Sequence, residues 1–326
     1  MAKIILECCQ NHNGDQAVLK DMIHAAAATG ADYCKMQSIN SSDLAKRERF
    51  EKGKEENGVT TVIKRPYQNE YDHLKALDLS REDEIWFMDE CKKAGITPLT
   101  TIFTHGSIKK TAELGWEAVK VAGYDCANHP FLRHLSRYFD KMIISTGACH
   151  DEEIVKAAEL LKYVNTTFLH CVSIYPTPFE EMHLARMQWI KEVTGSCGFS
   201  DHSLVSRDGI LGSQASIAMG VEMVERHFTV LKPEESRDGH VSINQAEATA
   251  LVASARKDPA DLAKELDEIW RPDWRDLVTG TPHRELSHSE KLNRDYYSGR
   301  FTTHLGDGQV DNWEEWTEEH EAALHG

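Results

Sequence analysis

The chain has 326 residues, 40% of them hydrophobic, with 37 basic and 53 acidic side chains and a formal net charge of -16. That is apolar material for a large core. The acidic balance argues against nucleic-acid or anionic-membrane binding but leaves room for a small anion held by a few local Lys and Arg residues.

The eight cysteines (Cys8, Cys9, Cys34, Cys91, Cys126, Cys149, Cys171 and Cys197) form no CxxC zinc pattern. No apolar run reaches the ~18 residues of a membrane span, and the N-terminus enters a strand at once, without a signal-peptide pattern. These features predict a reduced, cytoplasmic protein without disulfides.

Short apolar runs alternate with helical patterns along the chain. The spacing predicts a strand over Lys3–Cys9 and a helix over Gln16–Thr29, then Tyr33–Gln37 and Arg81–Ala94, then Thr97–Phe103 and Ser107–Leu114. Next come Ala118–Ala122 with Pro130–Phe139, Met142–Thr146 with Asp151–Tyr163, and Thr167–Ile174 with Glu180–Val193. Cys197–Asp201 with Ser206–Met219 and Val221–Phe228 with Asn244–Lys257 complete the series. Gly30, Gly95, Gly115 and Gly220 stand just before strands, where a left-handed residue stops a helix. Eight βα units predict an α/β fold, a closed (β/α)8 TIM barrel over residues 1–257. A doubly wound sheet would want a Gly-rich phosphate turn after the first strand, where Glu7-Cys8-Cys9-Gln10-Asn11-His12-Asn13-Gly14 stands instead.

Two segments break the rhythm. Residues 38–80 form a long charged connection, of the kind that is usually functional or mobile. Residues 258–326 hold four of the seven Trp residues and no clear strand repeat. They are expected to form a C-terminal helical or irregular extension, a candidate dimer arm.

In such a barrel the C-terminal strand ends line the active site, and here those ends are polar at almost every unit. They carry Glu7 with Asn11 and His12, Lys35 with Gln37, Thr100 with Thr101, and Lys120. Further on come Ser145 with Thr146, His170 with Ser173 and Tyr175, Ser200 with His202, and Glu225 with His227. Lys35 and Lys120 pointing into one mouth repel unless an anion binds between them. A phosphate or phospho-carboxylate would satisfy them, helped by Thr101 and Ser200; the plainer alternative is that one Lys pairs with a barrel carboxylate. His202 and His227, on neighbouring strands, can share a divalent metal, with Asp238 or Glu7 filling further positions; the plainer alternative is a hydrogen-bonded core imidazole. A nucleophilic Cys8 or Cys9 would need a base such as His12 and a lowered pKa, and is not favoured. His105, His129, His134, His150 and His183 are expected to be solvated.

Together, Gln10-Asn11-His12-Asn13-Gly14, Lys35-Met36-Gln37, Leu77-Asp78-Leu79-Ser80, Ile144-Ser145-Thr146-Gly147, Leu169-His170-Cys171, Tyr175-Pro176-Thr177-Pro178-Phe179-Glu180, Ser200-Asp201-His202 and Glu225-Arg226-His227-Phe228-Thr229 form one ordered set. Over roughly residues 3–255 that set resembles the sialic acid synthase (N-acetylneuraminate synthase) family. The resemblance implies condensation of phosphoenolpyruvate with an N-acyl amino sugar, N-acetylmannosamine or a related hexose, to a sialic-acid-like nonulosonic acid with release of phosphate. It implies a divalent metal, manganese first, with magnesium or cobalt as alternatives, and a homodimer. Carried over by position, His202 and His227 are the metal ligands. Lys35, Thr101, Lys120, Ser173 and Ser200 contact phosphoenolpyruvate, while Glu7, Gln37, Tyr175 and Asp238 face the sugar, with Arg65 at or near a sugar-side Asn position. Glu7 is the candidate for proton transfer, and Glu7, Lys35, Lys120 and Asp238 form the catalytic set.

The chain also departs from the family pattern. Gly-Ser-Gly-Glu after the second lysine becomes Ala122-Gly123-Tyr124-Asp125, so the Ser that usually helps hold the phosphate is Gly123 and the Glu is shortened to Asp125; a phosphate-side Asn becomes Ser173, and Glu-Ile-Gly becomes Glu7-Cys8-Cys9. The small antifreeze-like end domain, which lends an Arg to the partner's site, has no recognisable counterpart in residues 258–326, where Arg300 is the candidate substitute. These departures predict an altered acceptor sugar. A Schiff-base aldolase using Lys35 or Lys120, and a non-catalytic sugar-phosphate-binding homologue, are the competing readings.

Overall fold

The computed structural model describes residues 1–325. Eight parallel strands, β1 (Lys3–Cys9), β2 (Tyr33–Ser38), β3 (Thr97–Ile102), β4 (Val119–Val121), β5 (Lys141–Ser145), β6 (Asn165–Cys171), β7 (Cys197–Asp201) and β8 (Met223–His227), close into a barrel in the order β1-β8-β7-β6-β5-β4-β3-β2. Helices α1 (Gln16–Ala28), α2 (Arg81–Ala94), α3 (His105–Ala112), α4 (His129–Leu135), α5 (Asp151–Leu160), α6 (Ala185–Thr194), α7 (Leu211–Ala218) and α8 (Gln245–Ala255) follow them in turn. This is the predicted TIM barrel. Two predicted helices divide: a 3-10 turn at Phe179–Glu181 is separate from α6, and Gly209, at φ 55°, parts Val205–Asp208 from α7.

Local chemistry explains the sharper boundaries. Helix α2 opens with a reciprocal capping box between Ser80 and Asp83 and carries Glu82, Asp83 and Glu84 in its first turn. It closes with Lys92 and Lys93 before Gly95 at φ 81°, so charges oppose the helix dipole at both ends and glycine supplies the left-handed stop.

Alternation along the strands builds the barrel interior in two levels. Ile5, Tyr33, Leu99, Ala118, Ile143, Leu169 and Met223 form a buried apolar plug. Two residues further along the same strands stand Glu7, Lys35, Thr101, Lys120, Ser145, Cys171 and Glu225. Gly198 takes the plug position on β7, where a Cβ would come within 2.5 Å of Leu169 Cδ2 and of Met223 O.

Parts of the two irregular segments reach the C-terminal mouth, through Ile39 and Arg65 of the first and Asn293, Arg294, Tyr297 and Arg300 of the second. Residues 38–80 contain an antiparallel hairpin (Lys54–Glu56 with Val59–Val62) and a helix at Tyr67–Lys75. Residues 258–326 contain helices Pro259–Ile269, Trp274–Thr279, His288–Tyr297 and Glu318–His325, and a hairpin of Thr302–Leu305 with Gly308–Asp311 that the sequence reading lacks. Leu262, Leu266, Trp274 and Val278 of the extension lie in the same buried cluster as the barrel helices. Phe301 packs with Leu44, Leu74 and Phe103, and Arg47 donates to the carbonyls of Tyr296 (2.6 Å) and Ser298 (2.9 Å). His105 and His134, expected in solvent, are buried instead, because Trp316 of the extension stacks on both rings. No helix among the described residues is long and apolar enough to cross a membrane, and all eight cysteines are buried free thiols.

Trp274 is fully buried and its indole N–H donates to Asp267 at 2.9 Å. Trp274→Ala is expected to cost about 3–5 kcal/mol, read as a lower denaturant midpoint, if the extension and barrel share one core.

Candidate active site

All twelve residues given site roles by the family resemblance line one cavity of about 390 Å3 at the C-terminal mouth. Glu7, Lys35, Thr101, Lys120 and Ser200 form its inner level. Gln37, Ser173, His202 and His227 stand one step further along the chain. Arg65, Tyr175 and Asp238 come from the loops.

Strand register sets the inner level: Glu7 pairs with Lys35 and with His227, Thr101 with Lys120, and Ser200 with Glu225. Lys35 contacts the Glu7 carboxylate, donates to Thr101 Oγ1 at 2.9 Å and lies 3.8 Å from Glu225. Lys120 donates to Ser145 Oγ at 2.6 Å and to Val121 O at 2.9 Å, and lies 3.7 Å from Glu225. Ser200 donates at 2.9 Å to Glu225 Oε1, the oxygen that Lys120 approaches, while Lys35 approaches Oε2. Each lysine therefore has a barrel carboxylate beside it, as the plainer alternative had it, and Glu225 bridges the pair. Burial and the neighbouring Lys120 outweigh the attraction of Glu225 and push Lys35 down to about 7. Burial raises Glu225, but Lys120, Lys35 and the Ser200 hydroxyl hold its carboxyl below the usual range.

The rings of His202 and His227 sit 5.2 Å apart, edge to face, with Tyr175 packed 4.1 Å from His202. A buried ion pair holds both strand ends: Arg226 meets Asp201 at 2.7 Å and donates to Ser203 O at 2.9 Å, with Arg226 and Asp201 fully buried. Burial first, then nearby cations, keeps His202 well below the ordinary range; burial likewise lowers His227, against the pull of Asp238 and Glu225. Both rings are thus neutral, the form that ligates metal.

The donor set fits an ion. A His227 nitrogen, an Asp238 oxygen and Cys9 Sγ lie within 4.8 Å of one another. The buried Nδ1 of His227 has no hydrogen-bond partner among the described residues. His227 and Asp238 come together, Cys9 joins them, and Glu7 is taken up by Lys35. His202 stands beside the trio, its Nδ1 3.8 Å from Cys171 Sγ.

Other polar strand ends serve the scaffold. Asn11 donates to Phe228 O and Ser242 Oγ, His12 accepts from Gly14 N, and His170 bonds Met182 O. Asp125 is buried and bound by Asn128 and, at 3.3 Å, by Asn312, so it anchors the extension. Gly123 lies against backbone: a Cβ there would meet Gly147 N at 2.9 Å and Gly147 Cα at 3.0 Å.

The sequence placed Glu225 at the mouth without a specific role, weighed Cys9 only as a disfavoured nucleophile, and gave no role to Arg237, Asn293, Arg294 or Tyr297; all six line the cavity. Glu225 had a local signal, since it shares a strand face with His227. The extension residues had none. Arg300 does reach the cavity; it is buried and paired with Glu70.

Residues 22–265 match the NeuB family, and the chain belongs to that family. It is 32% identical to an N,N'-diacetyllegionaminic acid synthase of Legionella pneumophila, over 85% of this chain and 81% of that protein. It is 33% identical to another from Campylobacter jejuni, over 78% of this chain and 75% of that protein. Among solved structures, the N-acetylneuraminic acid (sialic acid) synthetase of Leptospira borgpetersenii, in complex with citrate, matches at a TM-score of 0.66 and 25% identity over 90% of each chain.

Because the backbone of Gly147 fills the space a side chain would need, Gly123→Ser is expected to destabilise the protein by about 1–3 kcal/mol. It should not strengthen binding of inorganic phosphate. Thermal unfolding and phosphate titration check both.

Proposed function

We propose that the protein condenses phosphoenolpyruvate with the open-chain form of an N-acyl amino hexose, N-acetylmannosamine or a close relative, giving a nonulosonic acid and inorganic phosphate. The observation that carries this reading is the inner level of the cavity. Two buried lysines share Glu225 and stand beside a neutral His227 and Asp238 in a mouth of about 390 Å3. Membership of the NeuB family and the two relatives named as N,N'-diacetyllegionaminic acid synthases support it.

In this reading Lys35 and Lys120 bind the phosphate and carboxylate, with the hydroxyls of Thr101, Ser173 and Ser200 completing the cradle. Glu7, in contact with Lys35, moves the proton. Gln37, Tyr175, Arg65 and Asp238 orient the sugar. His227 and Asp238, with His202 alongside, would hold a divalent ion, which would supply Lewis-acid polarisation of the aldehyde. C3 of phosphoenolpyruvate forms the new bond to the aldehyde carbon, water adds at C2, and phosphate leaves with cleavage of its C–O bond.

A Schiff-base aldolase is the second reading. Lys35, brought to about 7 by burial and by Lys120, has the lowered basicity of a nucleophilic amine. Borohydride trapping of a ketoacid on Lys35 would support that reading, and strict metal dependence would oppose it.

Chelator-stripped protein should release phosphate from phosphoenolpyruvate only when both a divalent metal and an N-acyl amino hexose are added. No release with any sugar, at stoichiometric metal occupancy, would count against the synthase. Glu7→Gln should lower kcat by about 10²–10⁴-fold, and full turnover in that variant would remove the proton-transfer role. Lys35 is a base whose charged form is lost as pH rises through about 7. Phosphoenolpyruvate affinity should therefore be greatest below that pH and fall by at most about tenfold per unit above it. Calorimetry across that range checks the slope, which Lys35→Arg should flatten.

A further inference from the structure

Cys9 ends β1 with a φ of 48°, in the left-handed region that is costly for residues with a side chain. The β1–β2 pairing shifts register between Glu7 and Cys9 at the same point. Glycine would adopt this backbone without strain, yet the chain keeps a thiol there, buried at 6% exposure and lining the cavity.

The thiol has a specific target. Cys9 Sγ donates to Asp238 Oδ2 at 3.1 Å. The same oxygen is 3.8 Å from His227 Nδ1, which is buried without a hydrogen-bond partner among the described residues. Sulfur, nitrogen and oxygen donors thus lie within 4.8 Å of one another, a spread that one ion with bonds of about 2.0–2.3 Å can draw together.

We propose that Cys9 is a thiolate ligand of the metal centre, completing an S,N,O donor set with His227 and Asp238. Thiolate and imidazole suit zinc, cobalt or ferrous iron, whereas magnesium and manganese prefer oxygen. The assignment rests on the metal reading of the cavity and deepens it by naming the class of ion. On coordination the Cys9 S–H bond breaks, its proton passes to solvent, and a sulfur lone pair forms the bond to the ion. The hydrogen bond to Asp238 is exchanged for shared ligation, with no change of oxidation state.

The test is cobalt titration of chelator-stripped protein, followed by absorption, without sugar or phosphoenolpyruvate. One cobalt per chain should bring up an intense near-ultraviolet sulfur-to-cobalt charge-transfer band. Cys9→Ser should lose the band and bind cobalt at least about tenfold more weakly, the size of effect seen even for loss of outer-shell partners. Cys9→Gly should also lose the band while unfolding no earlier than the parent, because glycine relieves the backbone. Cys171→Ser, which alters the cavity's other thiol, should keep the band. Cobalt bound at full occupancy without the band, a band that survives in Cys9→Ser, or no cobalt binding would each overturn the assignment. The readout needs no turnover, so its failure is distinguishable from failure of the condensation reading.

Discussion

Two lysine ammoniums are held almost without water inside a closed barrel, and the architecture answers that constraint. Lys35 and Lys120 are each 3% exposed, and burying a cation costs several kcal/mol unless partners replace its hydration. Glu225 stands 3.8 Å and 3.7 Å from the two nitrogens, Glu7 is in contact with Lys35, and Thr101, Ser145 and the Val121 carbonyl take hydrogen bonds. Parallel register delivers these groups to one level from separate strands. The apolar plug below them keeps the network at the mouth, where a ligand can enter. The compensation is incomplete for Lys35, whose lowered pKa records the remaining burial cost and the repulsion from Lys120. An incoming anion would relieve both.

The mouth itself is built by two segments that are not part of the barrel repeat. The 38–80 connection and the C-terminal extension interlock through Phe50 against Tyr296, Arg65 over Tyr296 and Tyr297, and Arg300 with Glu70. Glu70 also lies 3.5 Å from Arg237, so one carboxylate serves two guanidiniums at the rim. A chain of net charge -16 thereby presents cations where its cavity opens. The extension supplies Asn293, Arg294, Tyr297 and Arg300 to the cavity of its own chain.

Much of the site was legible because the inward face of a strand repeats every second residue. Ser200 with His202, and Glu225 with His227, could be placed on shared faces from spacing alone, and Lys35 and Lys120 could be assigned to one mouth. What spacing left undecided was the direction of each polar end. His170 and Asn11 looked equivalent to their neighbours but bond to backbone carbonyls. His105 and His134 looked exposed because the ring that covers them, Trp316, lies far along the chain. Gly123 read as a lost phosphate contact, whereas the structure gives it a packing reason in the backbone of Gly147.

The sequence by itself determined the eight βα units, the polar level at their C-terminal ends and the residues that face inward. These depend on local periodicity and on short-range capping and turn chemistry. Tertiary structure alone decided the company those residues keep. Closure sets β1 beside β8, which brings Cys9 to Asp238 across a sequence separation of 229 and leaves His227 next to both. Packing of Trp274 and its neighbours fixes the start of the extension against the barrel helices, and Asn293, Arg294, Tyr297 and Arg300 further along it reach the cavity. Such contacts come from burying apolar surface between distant segments, an energy that no local pattern of residues encodes.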